Sequence, residues 1–333
     1  MKSIAVLGAG SWGTALALLL AEKGLRVNLW VHGQETYQTL ISQKENIHYL
    51  PGIKLPPNIF PTLSLDEALH GQKDILIVVP SHVYRNVLTA AIPYLSPDCR
   101  IISATKGIEN DTLLTMSGVT KSLLADFSYT YTVLSGPSFA KEVSRRLPTA
   151  VTVASTNTEA AIYVQKLFAT QYLRAYTHHD VLGVELGGAL KNVMAIAAGI
   201  CDGLGLGHNA RAALITRGLV EMTRVGQKIG AEPQTFTGLS GLGDLVLTCT
   251  STLSRNYTVG ERLGKGEKIA DILNSMRMIA EGVKTSRAAY MLAQRERVDT
   301  PIINEVYDIL YQGKPPLDGL KQLLARTLKP EFW

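Results

Sequence analysis

Cysteine is close to absent from this 333-residue chain: Cys99, Cys201 and Cys249 are odd in number and far apart, with no Cys-x-x-Cys pair and no cysteine-histidine spacing of a zinc site. That argues against a disulfide framework and a structural metal, and it suits a reducing, cytoplasmic compartment. Aromatic residues are few, at 7%, and there is no polybasic run, so a nucleic-acid surface of interleaved rings and bases is not expected. The excess of positive charge is small, 33 Lys and Arg against 28 Asp and Glu, which suits a small phosphorylated ligand. Internal repeats and low-complexity linkers are also lacking, and a 46% hydrophobic content excludes disorder over any long span.

One stretch lacks charge altogether. Ile4 to Ala21 is an 18-residue window that follows Met1, Lys2 and Ser3, and its length alone would permit an export signal or a membrane span. Gly8, Gly10 and Gly13 break it at a meaningful spacing, so a folded element without stable membrane insertion is expected.

What is present is an alternation. The runs SIAVLG, RVNLWV, DILIVVP, RIISAT, YTVLSG, TAVTVAS and YLRAYT read as strands, with helices predicted from near Ser11, Ser64, His82, Asp111, Ser138 and Thr158. Short apolar runs separated by helices imply crossover connections, hence a mostly parallel sheet covered on both faces. Beyond Asp180 the strand signal fades, and helices are predicted over 181–203, 209–229, 257–264, 268–274, 280–296, 302–312 and 316–327. The chain is long enough for two domains, here 1–180 and 181–333, the second mainly α-helical.

The turn GAGSWG puts Gly8, Gly10 and Gly13 between the first strand and the helix TALALLLAEKG. The first glycine permits a tight turn, the second lets a pyrophosphate approach the backbone, and the third lets helix and strand pack closely. The first domain therefore reads as a Rossmann-type dinucleotide-binding domain in an α/β protein. An NAD-selective site usually has an acid at the end of the second strand, but here the chain runs Trp30, Val31, His32, Gly33, Gln34. No carboxylate repels a 2′-phosphate, so NADPH is expected to be accepted alongside NADH. His32 is either a contact to that phosphate or a solvated turn residue.

In the second domain, VLGVELGGALKNVMAIAAGI is nearly all small or apolar, yet it carries Lys191 at its middle. A buried ammonium needs a partner or a reaction. With Gly187 and Gly188 one turn before it, the face beneath Lys191 reads as bare, open to a small ligand. There the ammonium could deliver a proton to a carbonyl oxygen; alternatively it snorkels to solvent. Lys106 follows a predicted strand, Ser138 could cap a helix, and Asp244 has Thr248 one turn on or is a plain N-cap. Ser254, Arg255 and Asn256 offer a helix start with a guanidinium and an amide, either a phosphate clamp or a surface cap.

These blocks resemble those of the soluble bacterial NAD(P)-dependent glycerol-3-phosphate dehydrogenase family. GAGSWGTALA, ATKGIE, SGPSFAKEV, ELGGALKNVMAIAAGICDGLGLGHNARAALITRGLVEM, GLGDLVLTCTSTLSRNYTVG and AEGVKT are similar to its motifs in order, from near the N-terminus to about residue 285. The resemblance implies reversible reduction of dihydroxyacetone phosphate to sn-glycerol 3-phosphate, the head-group precursor of phospholipids. It implies Lys191 as acid in reduction and base in oxidation, Lys106 beside substrate and cofactor, and Asp244 and Thr248 as residues that orient the site. Gly136, Ser138, Ser254, Arg255 and Asn256 look like substrate contacts. Gly8, Gly10, Ser11, Trp12, Gly13, His32, Lys106, Ala140, Arg255, Ile279 and Glu281 look like cofactor contacts. The family often has arginine where His32 stands. Asp244 is expected to keep the Lys191 ammonium charged and oriented against the downward pull of burial. A homodimer is also expected.

Two rivals stand beside this reading. One is a related dehydrogenase for 3-hydroxy acids or 6-phosphogluconate, which the Ser254–Asn256 block disfavours. The other is an NAD(P)H-binding regulator without turnover, which would tolerate loss of Lys191.

Overall fold

The structure, a computed structural model, describes residues 2–276, 280–328 and 330–331. Its first part is built on eight strands: β1 (Ser3–Leu7), β2 (Arg26–Trp30), β3 (Ile59–Thr62), β4 (Asp74–Ile77), β5 (Cys99–Ser103), β6 (Tyr129–Ser135), β7 (Thr149–Ala154) and β8 (Leu173–His178). They form one sheet in the order β3-β2-β1-β4-β5-β6-β7-β8. All neighbours are parallel except β6 and β7.

Around this sheet lie α1 (Ser11–Glu22), α2 (Gln34–Gln43), α3 (Leu65–Leu69), α4 (Ser81–Ala91), α5 (Met116–Leu123), α6 (Ala140–Val143) and α7 (Thr158–Phe168). The pleat sorts side chains to two cores. Ile4 and Val6 pack with α1 and α7 on one face, and Ala5 and Leu7 pack with α3, α4 and α5 on the other. The uncharged run Ile4–Ala21 is thus β1, the glycine turn and α1.

The second part is helical: α8 (Val181–Gly203), α9 (Gly207–Lys228), α10 (Asp244–Cys249), α11 (Arg255–Gly264), α12 (Ile269–Ser275), α13 (Glu281–Arg295), α14 (Pro301–Tyr311) and α15 (Pro316–Leu324). A π-helical turn, Leu239–Gly243, leads into α10. Asp180 caps α8 by accepting from Gly183 N at 2.8 Å, and its other oxygen takes Thr235 Oγ1 at 2.6 Å. Helix α8 is long and apolar enough to cross a membrane, yet 89% of its most apolar window is buried inside the fold. It crosses α11 at backbone contact: a Cβ on Gly199 would lie 2.1 Å from the Tyr257 carbonyl oxygen, and one on Gly260 2.0 Å from that of Ile196.

Four expectations need correction. Strand β3 has no place among the strand runs above, because Pro61 within it reads as a breaker; β3 lies at the sheet edge, where a missing N–H is tolerated. Helix α2 is absent from the helical pattern because it buries only Thr36 and Leu40, too few for a periodic signal. The helix placed near Asp111 starts at Met116, after a turn in which Leu113 takes a positive φ. The helix placed at Ser138 is only the four-residue α6, with Phe139 rather than Ser138 at its N-cap.

Candidate active site

The carboxyl ends of β1, β2, β5 and β6 share one edge of the sheet and carry Gly8, His32, Lys106 and Gly136 just beyond them. Ligands of open parallel sheets bind at this edge, at the point where strand order reverses, here between β1 and β4. Gly8 lies there with φ +118, and a Cβ on it would stand 2.5 Å from the Val78 carbonyl oxygen. A Cβ on Gly13 would come within 1.9 Å of the Gly8 oxygen, whereas one on Gly10 would meet nothing within 4 Å. Helix α1 begins in that open space without a side-chain cap or an acidic residue in its first turn. These residues fit a dinucleotide pyrophosphate.

Flanking residues complete the surroundings of the turn. Trp12 has its buried Nε1 without a protein partner, and Ser11 Oγ donates to the Tyr49 carbonyl at 2.6 Å. His32 is exposed at the end of β2; the acid that follows, Glu35, is also exposed and lies 3.3 Å from His48. Asn46 went unnoticed in the sequence. Its Nδ2 donates at 2.8 Å to both the Ala9 carbonyl and Thr14 Oγ1, strapping the turn in place. No pattern of spacing marks an asparagine that works by reaching across a loop.

Lys191 does not snorkel. It is 7% exposed, and its Nζ donates to Asp244 Oδ1 at 2.7 Å and Thr248 Oγ1 at 2.8 Å. The other Asp244 oxygen accepts from Lys106 Nζ at 2.6 Å, and Lys106 also donates to the Gly136 carbonyl at 3.1 Å. One buried carboxylate therefore joins two lysines, one from each domain. Burial pushes the Lys191 ammonium down to about 8, with Lys106 adding to that and Asp244 opposing it. Burial would raise the Asp244 carboxyl, but the Lys106 and Lys191 charges outweigh it and hold it below the usual carboxylate range.

Asp244 is not an N-cap. It is the first residue of α10, and its backbone carbonyl accepts from Thr248 Oγ1 at 2.6 Å. Nor is the face near Lys191 bare. A Cβ on Gly187 would lie 2.6 Å from the Ser240 carbonyl oxygen, and one on Gly188 2.7 Å from Ser135 Oγ and 3.4 Å from the Lys106 stem. These glycines admit close packing by the π-helical turn and by Lys106, rather than a ligand. Ser138 Oγ donates to the Gly136 carbonyl at 2.9 Å, so it caps no helix, but it stays within the Lys106 cluster.

Ser254 caps α11, accepting from Tyr257 N at 3.2 Å. Asn256 is buried, and its Oδ1 accepts from Gly282 N at 2.9 Å, which ties α11 to the start of α13 and leaves its amide as a donor. Arg255 is exposed beside Glu281, whose carboxyl is pushed up to about 7 by burial, against the pull of Arg255, Lys191 and Lys106. Ala140, partly exposed, opens α6. Ile279 lies outside the described residues. Among the described residues no group of three or more His, Cys, Asp or Glu could hold a metal ion, and the three cysteines are free and buried.

Comparison with known proteins covers nearly the whole chain. Residues 3–161 match the family model described as NAD-dependent glycerol-3-phosphate dehydrogenase N-terminus, and residues 180–321 match that of the C-terminus. A glycerol-3-phosphate dehydrogenase [NAD(P)+] of Desulfotalea psychrophila is 56% identical over 99% of this chain and 98% of its own. One from Geobacter sulfurreducens is 54% identical over 100% and 99%. The crystal structure of glycerol-3-phosphate dehydrogenase from Coxiella burnetii superposes with a TM-score of 0.94 at 41% identity, covering 98% of this chain and 99% of that one.

Proposed function

The chain belongs to the NAD-dependent glycerol-3-phosphate dehydrogenase family, and we propose that its site reduces dihydroxyacetone phosphate to sn-glycerol 3-phosphate with Lys191 as the proton donor. Bound NAD(P)H supplies the hydride to the carbonyl carbon. The Lys191 ammonium gives one proton to the carbonyl oxygen and takes one back in the reverse direction. Asp244 and Thr248 occupy two of its three N–H directions, leaving the third for substrate. Lys106 adds a second positive charge beside the developing alkoxide while bonding Gly136.

In this reading Arg255 and the Asn256 amide hold the substrate phosphate, helped by Ser254 and the start of α11, with Gly136 and Ser138 along the triose. Gly8, Gly10, Gly13, Ser11, Trp12, His32, Ala140 and Glu281 face the cofactor, with Lys106 and Arg255 shared. The domain division in this reading falls at 180/181, which the capping of α8 by Asp180 supports. The product supplies glycerophospholipid synthesis in the cytoplasm, and the working form is a homodimer with no nucleic-acid partner.

The observation that carries the proposal is the buried Lys191 ammonium held by Asp244 and Thr248. Purified protein with dihydroxyacetone phosphate is expected to consume both NADPH and NADH, read as loss of reduced-nicotinamide absorbance. Lys191→Ala is expected to lose ~10²-fold or more in rate, the scale of general acid-base catalysis. Tight nucleotide binding without turnover in the wild type would leave the regulator reading instead.

A further inference from the structure

Helix α8 carries a second buried ionisable side chain that the reaction does not use. Glu185 is 4% exposed. Its Oε1 accepts from Ser117 N at 2.9 Å and from the Tyr131 hydroxyl at 2.5 Å, and its Oε2 accepts from Ser117 Oγ at 2.5 Å. All three donors belong to the sheet domain: Ser117 lies in the first turn of α5 and Tyr131 on β6. The carboxylate belongs to the helical domain. Close by, Tyr84 and Thr120 share a buried hydrogen bond of 2.9 Å, so the contact has a polar floor.

Glu185 lies six positions before Lys191 on one uninterrupted helix. That is about 9 Å along the axis and roughly 240° around it, so Glu185 grips the sheet domain from a different face than the one that bears the ammonium. We propose that Glu185 is a positioning residue: by docking α8 on Ser117 and Tyr131 it sets the rotation and height at which Lys191 meets the substrate carbonyl. The inference rests on the reaction proposed above. A second tether between the domains, Lys106 to Asp244, lies inside the site itself. Glu185, by contrast, is a tether on α8 itself that holds the geometry without touching substrate. A helix rotated by a few degrees carries Nζ off line, and a displacement of ~1 Å can cost two orders of magnitude in rate.

Three variants of the full chain test this. Glu185→Ala removes the acceptors, Tyr131→Phe removes a donor on the opposite domain, and Glu185→Gln preserves the shape, since its carbonyl can accept from Ser117 N and Tyr131 while its amide donates to Ser117 Oγ. Glu185→Ala is expected to lower kcat about tenfold or more while NADPH binding, followed by fluorescence, stays within about twofold. Tyr131→Phe should lower kcat in the same direction, and Glu185→Gln should restore most of the rate. Hydrogen exchange at the amides of α5 should quicken in Glu185→Ala. An unchanged kcat in folded Glu185→Ala protein, or a kcat loss matched by equal loss of NADPH binding, overturns the proposal. Wild-type protein that never turns over dihydroxyacetone phosphate strikes the reaction instead, and the exchange measurement then judges the docking contact alone.

Discussion

Asp244 and Glu221 are both buried carboxylates in the helical domain, and they sit on opposite sides of the ordinary carboxylate range. Asp244 is 1% exposed with two ammoniums at 2.6 and 2.7 Å, and it is held low. Glu221, on α9, is 3% exposed and accepts from Ile302 N at 2.8 Å and Ile303 N at 3.1 Å in the first turn of α14. Burial pushes it up to about 8, and those two N–H donors only reduce the rise. Neutral donors soften the loss of water; whole charges reverse it. Asp244 therefore stays ionised at every working pH, a fixed counter-ion for Lys191. Glu221 changes its protonation near neutrality.

Among changes that probe this contrast, the largest expected effect comes from erasing one side of it. Asp244→Asn removes the charge that raises the Lys191 pKa, so Lys191 loses its proton at lower pH. In the proposed reaction, reduction needs the protonated form of Lys191, so the alkaline limb of its pH-rate profile should move to lower pH, with a rate loss of about tenfold or more near neutrality. A profile that overlays wild type would sink the role given to Asp244. A carboxylate neither buried nor paired completes the set. His32→Asp places one in the open at the end of β2, where it should repel a 2′-phosphate and shift the NADPH to NADH ratio of kcat/KM about tenfold toward NADH.

The smallest effect belongs to Glu221→Gln, which should leave kcat unchanged. The folded pKa of Glu221 lies above its unfolded value near 4.5, so its contribution to stability is full below that value and is lost as pH rises to about 8. The wild-type Tm should fall between about pH 5 and about pH 9 by a few degrees more than that of the glutamine variant, measured by thermal unfolding.

Most of this site was legible because its residues break local rules. Gly8, Gly10 and Gly13 interrupt an apolar run, and Lys191 stands in a helix otherwise made to be buried. The lysine's partners were harder to join to it, because Lys106 and Asp244 lie far from Lys191 in sequence and only the fold brings them to one carboxylate. Glu185 breaks the same rule as Lys191, six residues earlier, but its donors come from two elements of the other domain. Local pattern also misread what was near: Gly187 and Gly188 looked like room for a ligand and are room for backbone and the Lys106 stem. Edge strand β3 and the sparsely buried α2 show the other limit, since elements with little apolar surface leave little periodicity to read.

The interior place of α8 also bears on how the chain is made. Its principal packing partner, α11, and its neighbours α9 and α13 all follow it in the sequence. During synthesis, at ~5–20 residues per second, the whole apolar helix waits several seconds for Arg255–Gly264 to emerge. By then the sheet domain that precedes it can already be folded, with Ser117 and Tyr131 exposed as a dock. The nascent helix would have one polar handle, Glu185, by which to settle there before the rest of its shelter arrives.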